Sequence, residues 1–70
     1  MSLLKVNGKD MEFADEKMPR TVADLLAELG VDAATVVAEV DGRIVERDNF
    51  ENTELQQGQS VELVRFVPGG

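Results

Sequence analysis

The sequence contains no cysteine, histidine, tryptophan or tyrosine. Without cysteine, a disulfide and a cysteine–zinc site are both excluded. A thiol or imidazole nucleophile is excluded for the same reason. The side chains therefore supply no obvious nucleophile or general base for a catalyst.

Long apolar runs are missing as well. The first residues lack the apolar segment of a signal peptide, and no stretch approaches the length of a membrane span. We therefore expect a soluble, cytoplasmic protein that does not engage a membrane.

Basic residues are few, since 7 Lys and Arg stand against 14 Asp and Glu, for a net charge of -7. An acidic surface repels phosphate backbones, so we expect no nucleic-acid partner. The excess charge suits a protein partner with a basic patch, or it serves only solubility. Composition leaves both interpretations open.

Carboxylates are plentiful but show no pattern of a metal site. Four of them crowd residues 46–54, namely Glu46, Asp48, Glu51 and Glu54. A cation site needs convergent oxygens in a rigid loop, and the spacing of a calcium-binding loop is absent. We interpret these carboxylates as solvated surface and predict neither a bound metal nor a bound cofactor.

The chain length allows one small domain. A chain of 70 residues buries only about 60% of its unfolded surface. Its hydrophobic content of 43% is that of a globular protein. A deep catalytic cleft is difficult to build at this size, which favours a carrier or binding module over an enzyme.

The first half of the sequence predicts a hairpin followed by a helix. Residues 3–6 and 9–13 are strand candidates, and Asn7-Gly8 between them is a two-residue turn in which both positions tolerate positive φ. Thr21 is a suitable N-cap, and Gly30 is placed to end the helix. The apolar residues between them form one helical stripe: Val22, Leu25, Leu26 and Leu29.

The second half predicts another hairpin and a final strand. Residues 36–40 are rich in β-branched side chains, and Asp41-Gly42 is a second hairpin turn before residues 43–45. Residues 47–57 are polar around two apolar anchors, and residues 60–67 have the pattern of a last strand.

These elements give the order β-β-α-β-β-β. A hairpin cannot bury its apolar face alone, so the helix must pack across the sheet. The last strand must then pair between the two hairpins. An α+β fold of the β-grasp (ubiquitin-like) type meets these demands, with a mixed sheet of about five strands packed on one main helix. We assign residues 1–67 to this domain and residues 68–70 to a flexible tail.

The tail ends in Gly69-Gly70, a pair expected by chance in about one chain in 200. Two glycines carry no Cβ, so they can enter a narrow channel of another protein. The Gly70 carboxylate is ionised at neutral pH and is a poor acyl donor. It becomes reactive if a partner enzyme converts it to an acyl-adenylate, from which a sulfur donor can form a thiocarboxylate. The tail by itself fits an incidental chain end equally well.

The last strand predicts a surface for such a partner. Side chains alternate between faces, so Val61 and Leu63 are expected to face the helix. The opposite face then becomes apolar towards the tail at Val64 and Phe66, and exposed apolar clusters often mark interaction sites. Arg65 is expected to reach solvent at the end of the sheet. We therefore predict a partner-binding surface made by Val64, Arg65 and Phe66, together with Pro68. The alternative is that Phe66 folds over the sheet rim as additional core.

Two segments carry a resemblance to a known family. Residues 37–47 (VAEVDGRIVER) and 55–64 (LQQGQSVELV), followed by a short run into Gly69-Gly70, resemble the ThiS family of sulfur carriers in thiamin biosynthesis. The opening hairpin and the helix that begins at Thr21 fit the same pattern, so the resemblance covers essentially the whole chain.

The resemblance implies a β-grasp fold and a defined cycle. A ThiF-type adenylating enzyme, using ATP and magnesium, activates Gly70, and a persulfide donor installs sulfur. The thiocarboxylate then delivers sulfur to a ThiG-type thiazole synthase. The carrier binds no cofactor and acts as a co-substrate, not as an enzyme.

Four alternatives stay open on sequence alone. The nearest is the MoaD-type small subunit of molybdopterin synthase, which shares the fold and the activation chemistry but usually has a longer chain. The others are a sulfur carrier of another pathway, a ubiquitin-like conjugated modifier, and a β-grasp interaction domain whose Gly-Gly is incidental.

Overall fold

The computed structural model describes residues 1–67. These residues form five strands and one α-helix, with short 3₁₀ turns between them. The strands are β1 (Ser2–Val6), β2 (Lys9–Phe13), β3 (Val36–Val40), β4 (Arg43–Val45) and β5 (Ser60–Arg65), and the helix is α1 (Val22–Leu29). The predicted order β-β-α-β-β-β is confirmed.

All five strands belong to one mixed sheet in the order β2-β1-β5-β3-β4. β5 runs parallel to β1 and antiparallel to β3, while both hairpins are antiparallel. The last strand therefore joins the two hairpins at the centre of the sheet, as predicted.

Both hairpin turns have the backbone that their sequences predict. Asn7 and Gly8 adopt φ of 50° and 80°, and Asp41 and Gly42 adopt 50° and 83°. Positive φ at both central positions matches the right-handed twist of the flanking strands. The register of each hairpin is thereby fixed by its turn.

The N-terminal N–H groups of α1 are all satisfied. Thr21 Oγ1 accepts from the Asp24 N–H at 3.1 Å, as an N-cap does. The Val22 and Ala23 N–H groups donate to carbonyls of the loop after β4, those of Thr53 and Phe50, at 3.0 Å each. The first turn of the helix is thus tied to a loop far along the chain, which explains why a helix of only 8 residues is stable here.

The core lies between α1 and the inner face of the sheet. Its largest fully buried side chains come from the helix stripe and the two parallel strands: Leu4, Val22, Leu25, Leu26 and Val61. Phe50 and Leu55, the two apolar anchors of the polar segment, are buried in the same cluster. Leu29 and Leu63 pack against its margin and are half-buried.

The predicted end of the last strand is wrong. The last strand was expected over residues 60–67, but β5 ends at Arg65. Its partner β3 begins at Val36, which pairs with Arg65. The residues before Val36 form a 3₁₀ turn, so only one further hydrogen bond, from Phe66 to Thr35, continues the register past Arg65.

Candidate functional site

The candidate site surrounds the end of β5, because this strand leads into the tail. β5 is held from both sides by side chains of the hairpin turns. Asn7 Oδ1 accepts from the Leu63 N–H at 2.7 Å, and Asp41 Oδ1 accepts from the Ser60 N–H at 2.9 Å. Sequence reasoning missed both contacts, since a turn motif gives no sign of a distant partner. They fix the position from which the chain leaves the sheet.

The two faces of β5 differ as the alternation predicts. Val61 is fully buried and Leu63 is half-buried against the core. On the other face, Glu62 is exposed and Val64 is 58% exposed. The face that points away from the helix is hereafter called the outer face.

Phe66 lies just beyond the strand and stays attached to it. Its N–H donates to the Thr35 carbonyl at 2.8 Å, which continues the β3–β5 register by one step. Its side chain is 47% exposed, so Phe66 is not additional core. Arg65 is exposed at the end of the sheet, as expected.

Apolar side chains cluster on the outer face near the tail. Val37 is opposite Val64 across the β3–β5 ladder and is 42% exposed. We call Val37, Val64 and Phe66 the tail-end patch. Isolated exposed apolar residues are common, but a contiguous group in a small acidic domain is typical of an interaction surface.

The outer face becomes acidic one step further from the tail. Glu39 is directly opposite Glu62 in the ladder. Like charges in this position are unfavourable, and within residues 1–67 the single ion pair lies elsewhere, between the Met1 ammonium and Asp15. The face therefore presents an apolar end and an acidic middle.

Several other kinds of site are not present in the part of the chain that the structure describes. Among residues 1–67, no group of histidine, cysteine and carboxylate side chains is arranged to hold a metal ion. Over the same residues, no helix is both long and apolar enough to cross a membrane. The predicted site residues Pro68, Gly69 and Gly70 lie outside the described residues, so their roles remain predictions.

The architecture itself defines the class: a mixed five-stranded sheet packed on one helix, with a central parallel strand pair, is a ubiquitin-like β-grasp domain. The family model for the ThiS family matches residues 4–70. The chain belongs to the ThiS family, and its function is that of a ThiS-type sulfur carrier for thiamin thiazole synthesis, not that of a catalyst.

Similar proteins agree with this assignment. The sulfur carrier protein ThiS of Bacillus subtilis is 32% identical over 68 residues, which cover 97% of this chain and 100% of that protein. A thiazole synthase of Paramagnetospirillum magneticum is 34% identical over 67 residues, or 96% of this chain, but this chain spans only 20% of that protein.

Solved structures give the same result. The crystal structure of the thiamine biosynthesis protein ThiS from Geobacter metallireducens has a TM-score of 0.78 and 36% identity, over 97% of this chain and 99% of that one. A solution structure of a thiamine biosynthesis protein from the same organism has a TM-score of 0.73 and 37% identity. The predicted β-grasp fold is confirmed.

Proposed function

We propose that the Gly70 carboxylate is the group that carries sulfur. A ThiF-type enzyme adenylates it with ATP and magnesium, a persulfide donor supplies sulfur, and a ThiG-type thiazole synthase receives it. The role proposed for Gly69 is access to narrow active sites, because glycine carries no Cβ. The carrier binds no cofactor of its own, and the cycle runs in the cytoplasm.

Conversion of the Gly70 carboxylate to a thiocarboxylate takes three steps. A carboxylate oxygen of Gly70 attacks the α-phosphorus of ATP, pyrophosphate leaves, and an acyl-adenylate forms. The terminal sulfur of a persulfide then attacks the acyl carbon and expels AMP, which gives an acyl disulfide. A thiolate attacks the donor-side sulfur, so that a new disulfide forms and the thiocarboxylate is released.

The tail-end patch is the observation that carries this proposal. Val64 and Phe66 come just before Val67, the last described residue, which is itself 82% exposed. An enzyme that holds Val64 and Phe66 is positioned to aim the residues that follow. Arg65 and Pro68 complete this predicted surface.

Support for a synthase partner comes from the thiazole synthase relative. A stretch similar to 96% of this chain makes up 20% of that protein. A ThiS-like sequence and a thiazole synthase are therefore found in one polypeptide there, which favours a direct functional contact between the two in the present case.

The first experiment follows the intact mass of the carrier. Incubation with ATP, magnesium, the adenylating enzyme and a persulfide donor is expected to raise the mass by the difference between sulfur and oxygen. Deletion of Gly70 should abolish this change and leave the melting temperature unchanged, because chain termini make few contacts. A stable adduct on a lysine of another protein, with no thiocarboxylate, would instead indicate a conjugated modifier.

A second experiment tests the tail-end patch with a matched pair. Val64→Asp and Ile44→Asp both place a carboxylate on the outer face at an exposed aliphatic residue, 58% and 70% exposed respectively. Ile44 is opposite Glu39 on the edge strand, away from the patch. Val64→Asp should weaken binding to the adenylating enzyme, and more so together with Phe66→Asp, while Ile44→Asp should bind normally.

Circular dichroism spectra should stay near those of the unsubstituted protein for all three variants. Normal activation of the double variant would contradict the assignment of the patch and would favour the acidic residues 46–54 as the recognition surface.

A further inference from the structure

One edge of β5 is unpaired where the strand approaches the tail. The parallel pairing with β1 covers only two positions and ends at Val6 opposite Val61, whereas β5 continues to Arg65. Within residues 1–67, no other strand pairs with β5 on this side beyond that point. The first part of β5 is thus a central strand, whereas its last part pairs only with β3 and is an edge strand.

The direction of the backbone groups on this edge follows from the register with β3. The hydrogen bonds from Phe66 to Thr35 and from Asp41 to Ser60, both 2.8 Å, belong to the same antiparallel register. Hydrogen-bonded pairs alternate along such a ladder, so Val64 bonds to Val37 and the intervening residues do not bond to β3. Leu63 and Arg65 therefore direct their N–H and C=O groups towards the side where β1 has ended.

The hairpin turn satisfies only the first of these groups. Asn7 donates its N–H to the Val61 carbonyl at 2.9 Å and accepts the Leu63 N–H on its side chain at 2.7 Å. The chain then turns into β2, and among residues 1–67 the Leu63 carbonyl and the Arg65 N–H and C=O have no backbone partner. Unpaired groups on an exposed edge form a template for an added strand.

A groove lies beside this edge on the helix side. Its floor is apolar, and its rim carries two cations and no carboxylate. The apolar residues are Val6, Leu29, Val31, Val36 and Leu63, and the cations are Lys9 and Arg65. In a chain of net charge -7, this is a local region of positive charge. The groove therefore fits an extended segment that has an apolar side chain next to a carboxylate.

We propose that an extended acidic segment of the enzyme that activates Gly70 adds to the sheet beside Leu63 and Arg65, in line with β1. This inference rests on the proposed function, because it assigns a second contact with the same enzyme. Backbone pairing at Arg65 fixes the direction of the chain just before the tail, which the tail-end patch alone cannot do. An apolar side chain of the segment fills the groove, and its carboxylate pairs with Lys9 and Arg65.

Amide hydrogen exchange of the carrier in complex with its adenylating enzyme tests the pairing directly. The Arg65 amide should exchange rapidly in the free protein and at least about tenfold more slowly in the saturated complex. The Val64 amide, which bonds to Val37, is the internal control and should be protected in both states. An Arg65 amide that exchanges equally fast in the complex would overturn the proposal.

Failure of strand addition and failure of the proposed function give different experimental results. If the complex forms and Gly70 is modified while Arg65 stays unprotected, strand addition is wrong and the proposed function stands. If no ATP-dependent modification of Gly70 occurs with the enzyme, the proposed function fails and strand addition fails with it.

Variants separate the backbone contact from the charge contact. Arg65→Pro removes an N–H that β3 does not use, and proline is tolerated at such an edge position. Arg65→Ala removes the guanidinium and keeps the N–H. We expect the proline variant to bind about tenfold more weakly than the alanine variant, as for one lost hydrogen bond. Equal binding of the two variants, both folded, would contradict the backbone pairing. If the proline variant unfolds, hydrogen exchange of the Arg65 amide in the unsubstituted protein tests the pairing instead.

Charge reversal at Lys9 and at Lys17 tests whether the positive charge of the groove contributes to binding. Lys9→Glu places a carboxylate at the groove rim, whereas Lys17→Glu makes the same change in an exposed 3₁₀ turn outside the groove. Lys9→Glu should weaken binding several-fold more than Lys17→Glu at low salt. Equal effects would overturn the assignment of an acidic segment.

Discussion

At the scale of single residues, the first position of each hairpin turn has two roles. Asn7 and Asp41 both adopt a left-handed backbone, and both accept a hydrogen bond from a backbone N–H of β5. Asn and Asp tolerate positive φ better than other residues with a Cβ. Glycine would adopt the same turn but has no side-chain oxygen to accept a hydrogen bond from β5.

Replacement of Asn7 by glycine isolates the second role. Asn7→Gly keeps the turn geometry and leaves the Leu63 N–H without its acceptor, so we expect the free energy of unfolding to fall by about 1 kcal/mol. Urea denaturation measures this change. Asn7→Asp retains an acceptor oxygen and should lose less; a loss as large as that of the glycine variant would show that the hydrogen bond is not the cause.

Asp15 is the residue whose titration the structure predicts. A hydrogen bond from the Ser2 hydroxyl, 2.9 Å long, and the nearby Met1 ammonium lower the pKa of the Asp15 carboxyl. Because its pKa is lower in the folded than in the unfolded state, its contribution to stability is present above the unfolded pKa and is lost as the pH falls through the folded pKa. That window lies below about pH 4.

Ser2→Ala tests the cause of this shift. Without the hydroxyl donor, the pKa of Asp15 should rise towards its ordinary value, which an NMR titration of the carboxyl measures. An unchanged pKa in this variant would assign the whole effect to the ammonium group.

At the scale of elements, the sequence predicts whether a segment is a helix or a strand better than it predicts the residue at which that element ends. The helix was predictable because its stripe, its Thr21 cap and its Gly30 terminus agree with one another, and Gly30 indeed adopts the left-handed backbone with φ of 70°. The end of β5 was not predictable from its own sequence, because it depends on where β3 begins. Local patterns carry no information about the length of a partner strand.

The helix stripe should carry a large part of the stability. Leu26 is 2% exposed within the core, and Leu26→Ala should lower the free energy of unfolding by about 2–5 kcal/mol through lost burial and a residual cavity. Leu29→Ala is the control, because Leu29 is half-buried and the site can relax towards solvent. A loss at Leu26 no larger than that at Leu29, measured by thermal or urea unfolding, would mean that Leu26 does not lie at the centre of the core.

The site was only partly predictable for a similar reason. Alternation in β5 placed Val64 on the outer face from sequence alone. Val37 could not be assigned to the same patch, since its neighbour across the ladder depends on the β3–β5 register. The open edge at Arg65 was equally hidden, because it results from the short pairing of β1 with β5.

At the scale of the whole molecule, the net charge of -7 should govern how fast partners arrive. We expect the association rate with the adenylating enzyme to fall with ionic strength, as for a partner with a basic surface. Neutralisation of Asp48, Glu51 and Glu54 to their amides should slow association.

Removal of three negative charges outside residues 46–54 is the control that separates the effect of net charge from the effect of position. Neutralisation of Asp10, Glu12 and Glu16, which are also exposed, should slow association to the same extent if net charge governs the rate. Stopped-flow measurements at several salt concentrations compare the two. A slower rate for the first variant alone would locate recognition on the acidic residues 46–54.

The central place of β5 also has a consequence for synthesis of the chain. The ribosome releases both hairpins before β5, and the hairpins do not pair with each other. Because β5 pairs with both, the sheet closes only after residues 60–65 have been made, and such non-local pairing is slow. A nascent or misfolded chain therefore lacks both the closed sheet and the patch beside the tail. Partners that read these features would modify finished molecules and leave incomplete ones alone.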